Sequence, residues 1–361
     1  MRLRSSQRGF RPLWKRVALR SPNLEIRNES HARLAPALDL LRDDGLILRS
    51  PRLGLDVRKR LSAGFVSHAH GDHFARHELT LCTPETARLL SVRFAYRGRF
   101  LFTPFGEPVS FGHAQVTSLP AGHVLGAAMA LIEGGGERLL YTGDFRLTGG
   151  RTVGPAQPQR ADTLVMESTF GDPSYVFPPR EALEARLITA VEDALAAGRR
   201  PIVHAYELGK SQEVTAILVA AGFPVQQPPG AFAISQAYAE LGVGFENPLL
   251  TKAVSPLQNR PAAGHVIVGP RGDKHIGGAC AGWPVTRIAV SGWALKPNYA
   301  RRMGVDVAIP LSDHADFAEL MRLIELVEPR RVIAVHGGES FAKELRERGI
   351  QADFVNTRPS K

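Results

Sequence analysis

The sequence predicts an α/β fold: a packed α/β sandwich interrupted by a second α/β unit. Three observations carry this. Strand-like segments before residue 175 repeatedly end in polar tips bearing His, Asp or Glu. Residues 175–300 instead alternate strands and helices with Pro/Gly turns, and residues 301–361 return to the earlier style. At 361 residues the chain also exceeds one ordinary domain, so two units, or one with a large insertion, are expected.

The chain opens with an irregular stretch, residues 1–35. Its first twenty residues carry Arg2, Arg4, Arg8, Arg11, Lys15, Arg16 and Arg20 and no acid. No apolar core of signal-peptide length follows these charges, so they read as a basic arm, disordered and phosphate-seeking or without a role. Leu46–Leu48 and Leu53–Val57 read as short strands around a Ser50-Pro51 turn. Asp56 lies at the second strand's end, where it is either a turn residue or the carboxylate that orients a ligand histidine. After the apolar Gly64–Val66 comes Ser67-His68-Ala69-His70-Gly71-Asp72-His73. Three of the chain's twelve histidines fall within six residues there. Neutral imidazoles and a carboxylate form a ligand set for Zn²⁺ or a similar ion, and four donors in one loop point to two metals.

Pro84–Leu90 reads as a helix, and Arg99–Thr103 and Ala114–Leu119 as strands. Glycines flank His123, exposing it on a loop; alone, it is as readily a buried structural histidine. A hairpin of Ala128–Ile132 and Arg138–Tyr141 leads to Asp144, and Thr163–Met166 leads to Glu167-Ser168-Thr169-Phe170-Gly171. Arg180–Ala197 is an amphipathic helix with Leu183, Leu187, Ile188, Val191 and Leu195 on one face. Pro201–Ala205 is a strand. Gly209-Lys210-Ser211 is not a P-loop, because no glycine lies five residues before Gly209; Lys210 at a helix start could still touch a phosphate, but a solvated lysine is the expectation. Further strands are His265–Gly269, Arg287–Ser291, Val305–Pro310 and Arg331–Val335, the last two ending in tips with His314 and His336; a helix covers Ala318–Val327. Trp293 could stack on a base but is expected in the core, and His77, His113, His204, His265 and His275 read as structural or surface.

Hydrophobic residues make up 44% of the chain, ample for a core. Cys82 and Cys280 cannot form a disulfide framework or a cysteine zinc knuckle; a reducing, cytoplasmic setting is expected. Apolar runs are strand-sized, so no membrane span is expected. The net charge of +10 suggests an anionic partner, nucleic acid foremost, although the body keeps only +3 once the arm's seven charges are removed.

The motif order His68-Ala69-His70-Gly71-Asp72-His73, His123, Asp144 resembles the H-x-H-x-D-H…H…D ligand series of the metallo-β-lactamase fold. Glu167-Ser168-Thr169-Phe170, Ser312-Asp313-His314-Ala315-Asp316 and Val335-His336-Gly337 resemble the further motifs of its β-CASP branch, nucleases of DNA repair and RNA processing. The resemblance spans about residues 42–355. It implies an αββα sandwich from residues 36–174 and 301–361, with a β-CASP domain inserted at 175–300. Within the branch, Leu208-Gly209-Lys210-Ser211-Gln212 and Ser291-Gly292-Trp293 most resemble bacterial DNA-ligase-associated exonucleases. Prokaryotic RNA 3′-end processing relatives share most of these features. Animal DNA-repair members usually lack the last histidine, which is present here as His336.

By this resemblance His68, His70 and His123 hold one divalent ion, and Asp72, His73 and His336 a second, with Asp144 bridging. The ions are expected to be Zn²⁺, with Mn²⁺ an alternative because two positions are carboxylates. Asp72 thereby counts among the catalytic residues, with His314 as general acid and Glu167 orienting it. Ser312, Gly337 and Gly338 are weaker candidates for a substrate phosphate. The implied function is metal-dependent hydrolysis of DNA from an end, alongside a DNA ligase and a helicase. RNA 3′-end processing is the alternative. A small-molecule hydrolase is disfavoured by the insertion with His314 and His336, and a catalytically dead binding module by the complete ligand set.

Overall fold

The computed structural model describes residues 38–41 and 45–357; the expected basic arm lies outside them. The described chain begins with a six-stranded sheet in simple order, β1 (Leu40–Leu41), β2 (Leu46–Leu48), β3 (Leu53–Leu55), β4 (Ala63–Phe65), β5 (Leu79–Cys82) and β6 (Arg99–Phe102). Helix α1 (Pro84–Phe94) crosses between the last two. Thr83 caps it by accepting from the Thr86 N–H at 3.2 Å, and Ala95 ends it in the left-handed region. The helix runs one turn beyond the Leu90 expected from sequence.

Next come β7 (Pro108–Phe111), β8 (Ala114–Pro120), β9 (Ala128–Gly134), β10 (Glu137–Tyr141) and β11 (Thr163–Glu167). They join a seven-stranded sheet whose order ends β11, β18 (Arg331–Val335), β19 (Ala352–Phe354). Strand alternation sorts the side chains of this sheet. Ala128, Ala130 and Ile132 of β9 pack with Leu139, Val165 and Ile333 against Leu48, Leu55 and Phe65 of the first sheet. Met129 and Leu131 face the other way, onto Leu320, Leu323 and Leu345 of α7 (Phe317–Val327) and α8 (Glu339–Glu347). The outer face of the first sheet is covered by Leu89 and Leu90 of α1. The layers are therefore α, β, β, α, as the resemblance implies. Helix α7 owes its placement to an apolar stripe of Phe317, Leu320, Leu323, Ile324 and Val327, and to Asp316, which accepts from the Glu319 N–H at 2.9 Å.

Between these halves lies a third sheet of six parallel strands, order β14-β13-β15-β12-β16-β17. In chain order these are β12 (Arg200–His204), β13 (Val225–Gln227), β14 (Val254–Pro256), β15 (Val266–Gly269), β16 (Val285–Val290) and β17 (Val307–Ile309). Helix α2 (Arg180–Ala196) leads in from β11, and α3 (Lys210–Ala220), α4 (Pro229–Glu240), α5 (Lys274–Ala279) and α6 (Tyr299–Met303) lie in the connections between these strands. Pairing of β17 with β16 carries this sheet to Ile309, past residue 301 where the sandwich was expected to resume. All three sheets belong to one compact unit, and Ile234 and Tyr238 of α4 pack on α1 in the same cluster as Leu89. Among the described residues no helix is long and apolar enough to cross a membrane.

Candidate metal centre and cleft

Strands β8, β10, β11 and β18 point the same way, so their carboxyl ends share one edge of the second sheet. His123, Asp144, Glu167 and His336 leave from that edge. The loop after β4 brings His68, His70, Asp72 and His73 from the facing sheet.

Hydrogen bonds fix the tautomers of the first group. His70 Nε2 lies 3.1 Å from the Leu208 carbonyl and His123 Nδ1 lies 3.0 Å from the Asp313 carbonyl. Carbonyls only accept, so both nitrogens carry protons. The Ser67 hydroxyl donates to Asp56 at 2.5 Å and therefore accepts from His68 Nδ1 at 2.9 Å. What remains is a lone pair on each ring: His68 Nε2 and His70 Nδ1 are 2.9 Å apart, and His123 Nε2 is 3.3 Å from that same His70 nitrogen. Asp144 Oδ2 lies 3.6 Å from His68 Nε2 and 3.8 Å from His123 Nε2. Lone pairs repel one another at such distances unless a cation lies among them, and the donors suit a borderline ion. Burial first, then the neighbouring imidazoles, holds His68 well below its ordinary pKa. Burial likewise lowers His123 to about 3, so its ring stays neutral, the form that ligates.

The second group shares Asp144. His73 Nε2 is 3.2 Å from Asp144 Oδ2, and His336 Nδ1 is 3.3 Å from Asp144 Oδ1. Asp72 stands at the rim, its side chain 73% exposed and 3.9 Å from His73 Nε2, so it is not among the convergent donors. His336 reaches inward from a left-handed backbone (φ 56°), a strain of about 1–2 kcal/mol. Gly337 must follow it, because a Cβ there would lie 2.2 Å from the Ser168 carbonyl oxygen.

Asp56, also left-handed, is the hub beneath both groups. Its carboxylate accepts from Ser67 N–H at 2.7 Å, Ser67 O–H at 2.5 Å, His73 Nδ1 at 2.8 Å and Tyr141 O–H at 2.8 Å. Burial opposes a charge on His73, but Asp144 and Asp56 together raise its pKa well above the ordinary value.

Beside the donors, both Glu167 oxygens lie 3.0 Å from His314 Nδ1. Glu167 is fully buried and held by the Phe145 N–H at 2.8 Å and the Thr169 hydroxyl at 2.5 Å. Burial disfavours the imidazolium of His314, yet Glu167, with Asp144 and Asp313, outweighs it and raises the pKa to about 10. Divalent cations at the neighbouring nitrogens would push that value back down by repulsion. The group faces a cleft of about 1040 Å³, also lined by Lys296, Trp293, Gly337 and Gly338. Ser312 lines it too, but its hydroxyl is engaged with its own loop, accepting from the His314 N–H at 3.0 Å.

Residues 299–357 match the family described as the Zn-dependent metallo-hydrolase RNA specificity domain. A "Probable DNA ligase" of Opitutus terrae is 37% identical over 308 residues, covering 84% of this chain and 30% of that protein. An "RNase J-like protein" of Methanocaldococcus jannaschii is 31% identical, covering 44% of each chain. The "Endoribonuclease YSH1" of Mycosarcoma maydis is 28% identical, covering 70% of this chain and 34% of that one. The chain thus spans less than half the length of these relatives. The chain is a relative of the β-CASP nucleases of the metallo-β-lactamase fold. A solved structure, a protein of unknown function from Enterococcus faecalis V583, shares the fold at a TM-score of 0.55 and 16% identity over 82% of this chain and 79% of that one.

Two sequence expectations about this β-CASP relative are corrected by the structure. Lys210 is not solvated: it is 2% exposed, 2.7 Å from Asp313 and 3.0 Å from the Leu311 carbonyl. Burial lowers the lysine's pKa even with Asp313 beside it. Asp313 is also penalised by burial, but Lys210 draws it below the ordinary carboxylate value. At 2.7 Å the two form a charged pair. Trp293 is not core: half-buried, it lines the cleft against Phe170, with the Lys296 ammonium 4.6 Å from its ring. Ser67 and Tyr141 went unnoticed because nothing in their local spacing announces a partner eleven or eighty-five residues away.

Proposed function

We propose that this chain is a dinuclear-metal phosphodiesterase that hydrolyses nucleic acid, acting on DNA from an end. The observation that carries the reading is the Asp144 carboxylate shared by two donor sets, with the His314–Glu167 pair facing the same cleft. His68, His70 and His123 would hold one Zn²⁺, and His73 and His336 a second with Asp72 swinging in from the rim; Mn²⁺ would suit the carboxylates as well. Such a pair of ions supplies an activated water and offsets charge on the phosphoryl oxygens. His314 donates Nδ1–H to Glu167, and because that carboxylate favours the charged ring, a second proton sits on Nε2 for the departing oxygen. Gly337 and Gly338 at the cleft wall leave room for a phosphate to approach the backbone.

Similarity to the probable DNA ligase of Opitutus terrae over most of this chain supports DNA as substrate and a DNA ligase as partner; a helicase partner is implied by the motif resemblance alone. RNA is the second reading, favoured by the RNA specificity family match and the endoribonuclease relatives. Purified protein is incubated with end-labelled single-stranded DNA and matched RNA, with a chelator, then with Zn²⁺ or Mn²⁺ restored. Metal-restored shortening of DNA from one end is the expected result. Selective RNA cleavage would transfer the same site to the second reading. Turnover of neither, with metal bound, would defeat both.

A further inference from the structure

A second cavity, of about 1080 Å³, lies at the carboxyl ends of the third sheet. Its position follows from topology. The β12-to-β13 connection runs toward the β14 edge and the β15-to-β16 connection toward the β17 edge, although β12 and β15 are neighbours. Alternation then sends α3 and α5 to opposite faces. Val203 packs with Val214 and Ile217 of α3, whereas Ile202 and Ile267 pack with Ile276 of α5. Open parallel sheets leave a ligand-sized crevice where connections diverge in this way.

The lining is cationic. Arg271, Lys274 and Arg287 face one carboxylate, Asp273, which is engaged in capping α5 through the His275 and Ile276 N–H groups. Among the described residues neither arginine is paired with a carboxylate side chain; Arg271 touches the Met303 sulfur at 3.8 Å, and Asp306 takes only the backbone N–H of Arg287. His204 lines the same space, and its enclosed Nδ1 has no hydrogen-bond partner. Burial, with Arg271 and Arg287 nearby, lowers its pKa to about 4, so the ring is neutral and adds a hydrogen-bonding group rather than charge. Aromatic surface is at hand in Tyr206, 66% exposed, and Trp283, 48% exposed. Tyr206 and Ser291 line both this cavity and the catalytic cleft, so the two are adjacent.

We propose that this cavity binds the phosphodiester backbone of the substrate strand beyond the cleft, with Arg271 and Arg287 on its phosphates and Tyr206 supporting a base at the threshold. The proposal rests on the nucleic-acid reading above and adds a distal subsite to it. Such a site gives affinity for long strands and contributes nothing to short ones.

The test is the exposed pair Arg271→Ala/Arg287→Ala, in the full metal-loaded chain. Binding is measured in a His314→Ala background by fluorescence anisotropy, and hydrolysis in the otherwise native protein. For a strand of roughly twenty nucleotides, affinity falls about 10-fold, and the slope of log K against log salt becomes shallower by about 1.4, the value for two lost single-strand phosphate contacts. A dinucleotide is bound and hydrolysed as before, and kcat on the long strand is unchanged. Unaltered affinity and salt slope on the long strand would overturn the proposal. So would an equal loss on both lengths, which places the effect in the cleft or the fold. A protein that binds long strands through these arginines but hydrolyses none would keep the subsite and sink the nuclease reading.

Discussion

The sandwich and the third sheet present the same device, a row of carboxyl strand ends, and load it with opposite chemistry. At the sandwich edge the ends carry His123, Asp144, Glu167 and His336, buried or half-buried, with His123 held as a lone-pair donor by the Asp313 carbonyl and His336 turned toward Asp144. At the third sheet they lead to Tyr206, Arg271 and Ser291, with exposed arginines that pair with no carboxylate side chain among the described residues. One edge is built to gather cations and the other to receive anions. The first costs burial of charge and strained backbone at Asp56 and His336, while the second keeps its charges in water.

The comparison breaks hardest at Asp144. Asp144→Asn removes the one carboxylate common to both donor sets. Metal content falls at both positions, and hydrolysis drops by more than about 10³-fold, the scale of losing an activated water. Elemental analysis alongside a hydrolysis assay checks this, and long-strand affinity at the third sheet's arginines should survive. Retention of two ions per chain would refute the shared-ligand geometry.

Next in size is Lys210→Met, at the seam where the start of α3 meets the loop between β17 and α7. It leaves Asp313 without its partner, which for buried pairs costs about 3–5 kcal/mol. Urea unfolding should show the shift in midpoint. Lys210→Met with Asp313→Leu should recover much of it, since an apolar replacement of a buried pair is often neutral. A double variant as unstable as the single one would mean that Lys210 matters for something other than the pair.

That seam also marks the limit of what the sequence discloses. The six-residue run of His68, His70, Asp72 and His73 can be read because its donors are neighbours in the chain. Asp144, Glu167 and His336 can be read because each directly follows an apolar strand. Lys210 sits 103 residues from its partner, and the charged residue's usual preference for water argues for the wrong environment. Trp293 is misjudged for the same reason: hydrophobicity says that an indole is covered, not whether protein or substrate covers it. The layered sandwich was legible through the recurring polar strand tips and the motif resemblance. The extension of the third sheet to β17 was not, because a strand of three residues carries too little pattern to choose between two sheets.

Glu167→Gln sharpens the comparison within the sandwich edge, separating proton handling from metal holding. The amide cannot stabilise a charged His314 as the carboxylate does, and kcat should fall by about 10²–10³-fold. Metal content stays at the native level, because Glu167 makes its contacts with His314, Phe145 and Thr169. His314→Ala should lose about as much, and the double variant little more, since the two act as one unit. Additive losses would give Glu167 a separate role.

The smallest effect is expected at Asp56→Asn, which touches the layer beneath the metal donors. All four groups that converge on this carboxylate are donors: the Ser67 N–H and O–H, His73 Nδ1–H and the Tyr141 O–H. An asparagine keeps the shape, but its NH₂ must face at least one of them, donor against donor. His73 then loses the bond that holds Nδ1 away from the donor cluster and aims Nε2 at the Asp144 side, and metal affinity should fall about 10–100-fold, the usual size for a lost orienting carboxylate. His68 is one bond further away, through the Ser67 hydroxyl, so its ion should weaken less. Titration against a competing chelator separates the two ions, and the looser one should carry most of the change. An equal loss at both would mean that Asp56 sets the position of the whole loop rather than the tautomer of one ring.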